Sequence, residues 1–329
     1  MKSEQVQAPA RRRSDRQRPP ARQVVDFARR APSIHNTQPW LWRARGSRLE
    51  LYADRTRQLP VTDPDGRNLL ISCGAALEYA RVAAAALGWP ADTEPGDPRL
   101  TDHLATLRLR PGRSTPADRD AYDVLRHRYT DRRRFTSWPI PTERLDRLTR
   151  TGDVPGMSVV PVTTSAGRIR VELVAREAHT LEQTLPGYGE EQRSWIERGS
   201  MDGVPAAVLP TDQHRDRRPS RYDGNGPGSS DDIRSTDGVL VLCSTEDGPE
   251  AWLRTGELLC RVWVRASQEG LSVVPLSQPV EIDRTRETLQ EILGGGLCPQ
   301  LVVRVGWQEI ARSQLPPTPR RPLSEVLLH

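Results

Sequence analysis

Three polar side chains, Ser33, Asn36 and Gln38, are set between Pro32 and Pro39 in the run Ala31-Pro32-Ser33-Ile34-His35-Asn36-Thr37-Gln38-Pro39-Trp40. A proline fixes its own φ near about −65° and drives its predecessor toward extended backbone, so these donors and acceptors are held rather than mobile. A stiff loop of this kind suits a flat heteroaromatic ligand. Read alone, the run also fits a capped loop in which Ser33 or Asn36 closes a turn and Trp40 opens a buried strand. His35 can donate a proton or serve as a structural hydrogen-bond partner.

A second cluster, Arg128-Tyr129-Thr130-Asp131-Arg132-Arg133-Arg134-Phe135, places arginines at i and i+4 with a hydroxyl midway. Such a set can converge on a phosphate monoester, or form a solvated basic turn paired with Asp131. Farther on, Gly270-Leu271-Ser272-Val273-Val274-Pro275-Leu276-Ser277-Gln278-Pro279-Val280-Glu281 reads as a strand followed by a turn. Its turn exposes the N–H groups of Ser277 and Gln278 to a ligand edge, or simply joins strand to helix. Near the end, a strand closing at Gly306-Trp307 is followed by Pro316-Pro317-Thr318-Pro319-Arg320-Arg321-Pro322, extended and carrying two adjacent arginines.

Helices and strands must position these groups. Apolar periodicity predicts helices over 24–30, 66–87, 116–128, 166–184, 249–269 and 284–292. Strands are predicted over 40–44 and 49–53 as a hairpin, and over 104–110, 158–162, 239–243, 271–274 and 300–305. The mixture lacks a strict βαβ alternation and reads as α+β. One echo runs through it: Gly74 to Gly88 and Gly256 to Gly270 each bracket an apolar helix, with the glycines fourteen residues apart. The echo suggests two degenerate halves, expected at 21–145 and 146–329. Residues 1–20 hold little to bury and are expected to be a disordered basic leader; 209–235 are expected to form a mobile, lid-like loop.

Composition narrows the function. The chain has 329 residues, 28% charged and 36% hydrophobic, with a net charge of +5 carried almost wholly by arginine beside a single Lys2. Acidic residues are interspersed throughout, which argues against a nucleic-acid partner. Cys73, Cys243, Cys260 and Cys298 show no Cys-x-x-Cys spacing, and no His-Glu-x-x-His is present, so no metal site is expected. No uninterrupted apolar run of about 18 residues is present and no export signal is read, so no membrane partner and a cytoplasmic location are expected.

Together these four motifs resemble the flavin-dependent nitroreductase superfamily, and the form Ser-x-His-Asn-Thr-Gln-Pro-Trp is similar to its Acg-like branch. The resemblance implies a nitroreductase-like α+β fold in which one chain resembles a fused pseudo-dimer, with noncovalently bound FMN. It implies cofactor contacts from Pro32, Ser33, Ile34, His35, Asn36 and Gln38 of the loop and from Pro275, Leu276, Ser277 and Gln278 of the turn. Arg128 and Thr130 would hold the phosphate, Arg132 would face N1 and the C2 carbonyl, and Arg320 or, by slight preference, Arg321 would complete the cradle. A cation near N1 suits the negative charge that reduction places there. Ser277 would present its N–H to N5, although this chain has Ser-Gln where many members have an acidic residue and glycine. The arginine motif also follows the proline loop by about ninety residues instead of preceding it, as complementary halves would require. The implied activity is hydride transfer from NAD(P)H to flavin and on to a small aromatic acceptor, with no catalytic residue assigned, in a monomer or homodimer. The alternatives are a protein that sequesters FMN beneath a lid and a dehydrogenase for one specialised metabolite.

Overall fold

The computed structural model describes residues 19–97, 99, 101–132, 135–151, 154–196, 198, 201–204, 237–308 and 318–328. The expected leader, apart from Pro19 and Pro20, and the lid-like segment at 209–235 lie outside these residues. Pro20 precedes α1 (Ala21–Ala28), whose Val24, Val25, Phe27 and Ala28 are buried. The polar loop then leads into β1 (Trp40–Arg45) and β2 (Arg48–Ala53), an antiparallel hairpin turning at Gly46 with φ +60°. A long helix α2 (Arg67–Ala86) follows, then β3 (Ala91–Pro95) and β4 (His103–Leu109).

After α3 (Pro116–His127) and α4 (Thr142–Thr149), the same order recurs. It runs through β5 (Met157–Pro161), the helices α5 (Ser165–Gln183) and α6 (Tyr188–Trp195), and β6 (Gly238–Ser244). It continues through α7 (Pro249–Gln268), β7 (Ser272–Leu276), α8 (Gln278–Glu281), α9 (Asp283–Ile292) and β8 (Cys298–Gly306). The chain then reaches α10 (Leu323–Val326) and β9 (Leu327–Leu328).

One sheet has the order β3-β4-β2-β1-β9 and the other β5-β6-β8-β7. All ladders are antiparallel except β1 with β9. Taken from its other edge, the second sheet is β7-β8-β6-β5, which repeats β3-β4-β2-β1 strand for strand. In both, a 20-residue helix follows the second strand, and its ladder with the fourth strand carries a register shift. The copies differ at one connection. Gly46 and Ser47 alone join β1 to β2, whereas 162–237 separate β5 from β6 and contain α5 and α6.

The two long helices pack on each other at the echoed glycines. A Cβ on Gly74 would lie 1.8 Å from the Leu253 carbonyl oxygen, and one on Gly256 would lie 1.9 Å from that of Ile71. Only glycine permits this backbone contact. Each helix also ends in a glycine with φ +77°, Gly88 or Gly270. By length and composition α2 could cross a membrane, with a mean hydropathy of 1.4, but it is mostly buried inside the protein as a core helix. Trp40, Trp42, Leu49, Leu51 and Leu107 share its core. A second core joins Leu145 and Leu148 of α4 to Leu240, Leu258, Leu301 and Val303. The boundary expected at 145/146 therefore falls inside α4, which packs with the second sheet.

Candidate functional site

A cleft of about 100 Å³ lies between the loop after α1 and the turn after β7. Pro32, Ser33, Ile34 and His35 supply one wall; Thr130 and Arg132 another; Pro275, Leu276, Ser277 and Gln278 a third. Its remaining lining is Asn68, Ile71, Ser72 and Ala75 of α2, Leu259 of α7 and Leu301 of β8. Sequence reading named the first three groups and missed the helical one. The signal was there: Asn68 and Ser72 are polar positions four apart on an alanine-rich helix, hence on one face.

The loop is anchored and strained. His35, Asn36 and Gln38 have φ of 43°, 56° and 50°, a region disfavoured for side-chain-bearing residues. Ser72 Oγ accepts from Ile34 N–H at 3.1 Å, and Ser33 Oγ accepts from Gln38 N–H at 3.0 Å. Asn36 and Gln38 are turned toward protein instead of the cleft. Asn36 Nδ2 donates to the carbonyls of Gly203 (3.0 Å) and Pro319 (3.1 Å), while its Oδ1 accepts from Arg320 at 3.0 Å. Gln38 Nε2 donates to Met201 O at 2.9 Å, and its Oε1 accepts from Arg321 N–H at 2.8 Å. Arg57 ties the same loop down, donating to Thr37 O while pairing with Asp202. These bonds hold the three residues in the disfavoured region.

Carboxylates fix the opposite polar groups. Gln278 Nε2 donates to Glu182 of α5 at 2.7 Å, and Asn68 Nδ2 to Glu281 at 2.9 Å. Asp63 caps α2 through the N–H groups of Asn68 and Leu69, both at 2.9 Å. Burial nonetheless pushes its carboxyl up to about 7.

The tail arginines divide. Arg321 pairs with Asp54 at 3.3 Å and Glu325 at 3.5 Å, and also donates to Gln38 O, so its charge is matched inside the protein. Arg320 and Arg128 instead meet over one neutral group, the Arg30 carbonyl, at 3.1 and 3.3 Å. Among the described residues neither makes an ion pair. Arg320 Nε is buried without a hydrogen-bond partner. Burial, then the charge of Arg128, brings the Arg320 guanidinium down to about 9. Two cations with no carboxylate between them could hold an external anion. Arg128 also donates to Thr130 Oγ1 at 3.4 Å, and Thr130 lines the cleft, so this pair borders it.

These residues fit FMN. Ile71, Ala75, Leu259 and Leu301 suit a ring face, Thr130 and Arg132 a carbonyl-bearing edge, and Arg128 with Arg320 a phosphate. The fold is thus that of an α+β protein with two sheets, and its cleft is walled by the loop after α1, the helices α2 and α7 and the turn after β7. No family model matches the chain. It is 38% identical over 314 residues to the Rv3131 protein of Mycobacterium tuberculosis H37Rv, named provisionally as an NAD(P)H nitroreductase. That alignment covers 93% of this chain and 90% of the relative. It is 33% identical over 318 residues to Acg of the same organism, similarly named, covering 92% and 93%. The chain belongs to the nitroreductase superfamily, in its Acg-like branch. Among solved structures, the FMN-dependent nitroreductase NfnB from Mycobacterium smegmatis, in complex with NADPH, aligns at 15% identity with a TM-score of 0.43. That alignment covers 64% of this chain and 97% of NfnB.

Proposed function

We propose that this protein is an FMN-dependent oxidoreductase of nitroreductase type, moving hydride from NAD(P)H to flavin N5 and on to a flat acceptor such as a nitroaromatic, a quinone or a specialised metabolite. The observation that carries the reading is the pair Arg128 and Arg320, two guanidiniums without a carboxylate, linked to the cleft through Thr130. Bound FMN would supply two-electron chemistry, reduced nicotinamide leaving oxidised and the electron pair passing with protons to the acceptor.

The chain's own residues position and tune. Arg128 and Arg320 would neutralise the phosphate, with Thr130 donating a hydrogen bond to it. Arg132 would place a fixed cation at the edge where reduction builds negative charge. Ile34, Leu276 and Leu259 would exclude water from the ring, and Ser277 and Gln278 would offer N–H groups at its reactive edge. Because the walls come from both halves, one chain would complete a site as a pseudo-dimer.

A second reading is FMN sequestration. It is favoured by the way Met201 and Gly203 clamp the loop through Gln38 and Asn36, making that wall rigid. An absorbance spectrum of the purified protein, followed by anaerobic NADPH, tests both. Yellow protein bleached by NADPH supports the oxidoreductase. Protein bleached only by dithionite supports sequestration. Colourless protein that refuses added FMN overturns both.

A further inference from the structure

Arg128 is held by two aromatic residues that no sequence motif includes. Its Nε–H donates to Tyr79 Oη at 2.6 Å, and its guanidinium lies 4.8 Å from the ring centre of Trp263. Tyr79 is on α2 and fully buried; Trp263 is on α7 and nearly so. Tyr79 Oη in turn donates to the Leu125 carbonyl at 3.4 Å, in the last turn of α3 and three residues before Arg128. Burial pushes the Tyr79 phenol up to about 12, so it remains a neutral hydroxyl that accepts from the arginine.

The usual way to fix an arginine is a carboxylate, and that would cancel the charge an incoming anion needs. A hydroxyl and a ring face orient the guanidinium while leaving its charge uncompensated. We propose that Tyr79, assisted by the Trp263 ring, is a positioning residue that holds Arg128 beside Arg320 so that the cleft selects a phosphorylated ligand over its dephosphorylated form. The inference rests on the FMN reading and deepens it, because the two ligands compared are FMN and riboflavin, which share the same ring.

The test uses full-length protein freed of bound flavin. FMN and riboflavin are titrated separately by fluorescence quenching into wild type, Tyr79→Phe, Arg128→Lys and the double variant. The Phe change keeps the ring and removes only the hydroxyl. FMN affinity should fall roughly three- to tenfold in Tyr79→Phe, the size of one hydrogen bond's net effect, with riboflavin affinity unchanged. In the double variant the loss of FMN preference should be no greater than in Arg128→Lys alone, since Tyr79 acts through Arg128. Equal weakening of both ligands, or additive losses, would mean a scaffold role and overturn the proposal. Should Tyr79→Phe fail to fold, the Trp263→Phe titration decides, with the same loss of FMN preference expected and an unchanged preference overturning it. Wild type that binds neither ligand overturns the FMN reading itself, whereas FMN binding with an unaltered preference in the variants overturns this inference alone.

Discussion

At the scale of single residues, the two adjacent arginines of the tail do different work despite identical chemistry. Replacing Arg320 with alanine should weaken FMN binding about ten- to a hundredfold, the range for a lost charged hydrogen bond, while leaving riboflavin binding far less affected. Replacing Arg321 should instead lower the urea unfolding midpoint, because Asp54 and the Gln38 carbonyl lose their partner. Paired titrations and unfolding curves check both outcomes. Affinity for FMN should also be greatest between about pH 6 and 9. Below about 6 the phosphate takes up its second proton, and above about 9 unliganded Arg320 loses its own. Titrations from pH 5 to 10, with riboflavin as the control lacking phosphate, measure that window. Sequence showed that arginines stood in the tail but could not separate them, because the distinction lies in Asp54 and Glu325 beside one and Arg128 beside the other. Asn36 and Gln38 illustrate the same limit. Their positions in the loop were legible, but not that both side chains turn away from the cleft to bind 201–203 and the tail.

Among elements, the crossing of α2 and α7 sets the distance between the walls of the cleft, since Ser72 and Ala75 lie on one helix and Leu259 on the other. Gly256→Ala would place a methyl 1.9 Å from a backbone oxygen, which no side-chain rotation relieves. We expect a loss of about 3 kcal/mol in urea unfolding, at the upper end for overpacking. The same crossing carries an ion network, with Arg81 to Glu257 at 2.7 Å, Arg81 to Glu78 at 3.3 Å and Arg261 to Glu78 at 3.0 Å. Burial, then the nearby charge of Glu78, raises Glu257 to about 7 against an ordinary 4.5. The folded protein therefore binds more protons there than the unfolded chain. The resulting stability is fully present below the unfolded value and is lost as pH rises through about 7. Glu257→Gln should flatten that decline between about pH 4.5 and 7, measured as urea midpoints across the range. The helices themselves were legible because 66–87 and 249–269 are long and apolar, but their crossing at Gly74 and Gly256 was not. Nor was the strand at Ala91–Pro95. It sits at the sheet edge with Asp92, Thr93 and Pro95 exposed, and carries no apolar alternation. Helix α6 was missed for a related reason, being eight residues with glutamates at 190 and 191 and a weak apolar stripe.

For the whole molecule, the repeated strand order places a loop from one half against a turn from the other. A single chain should then suffice: light scattering coupled to flavin absorbance should show a monomer carrying one FMN. Flavin content that followed a dimer fraction would contradict the single-chain site. The α+β class could be read in advance because both long helices are apolar. The docking of 201–203 and of residues 318–321 onto the loop could not, since no local pattern encodes contacts separated by 167 or 283 positions. Those separations have a kinetic consequence. Closing such long loops is entropically slow, and the disfavoured backbone at His35, Asn36 and Gln38 has little to hold it until both distant segments arrive. The cofactor pocket should accordingly be among the last regions to consolidate during folding, so the appearance of bound-flavin colour in a refolding experiment would time the arrival of the complete native topology.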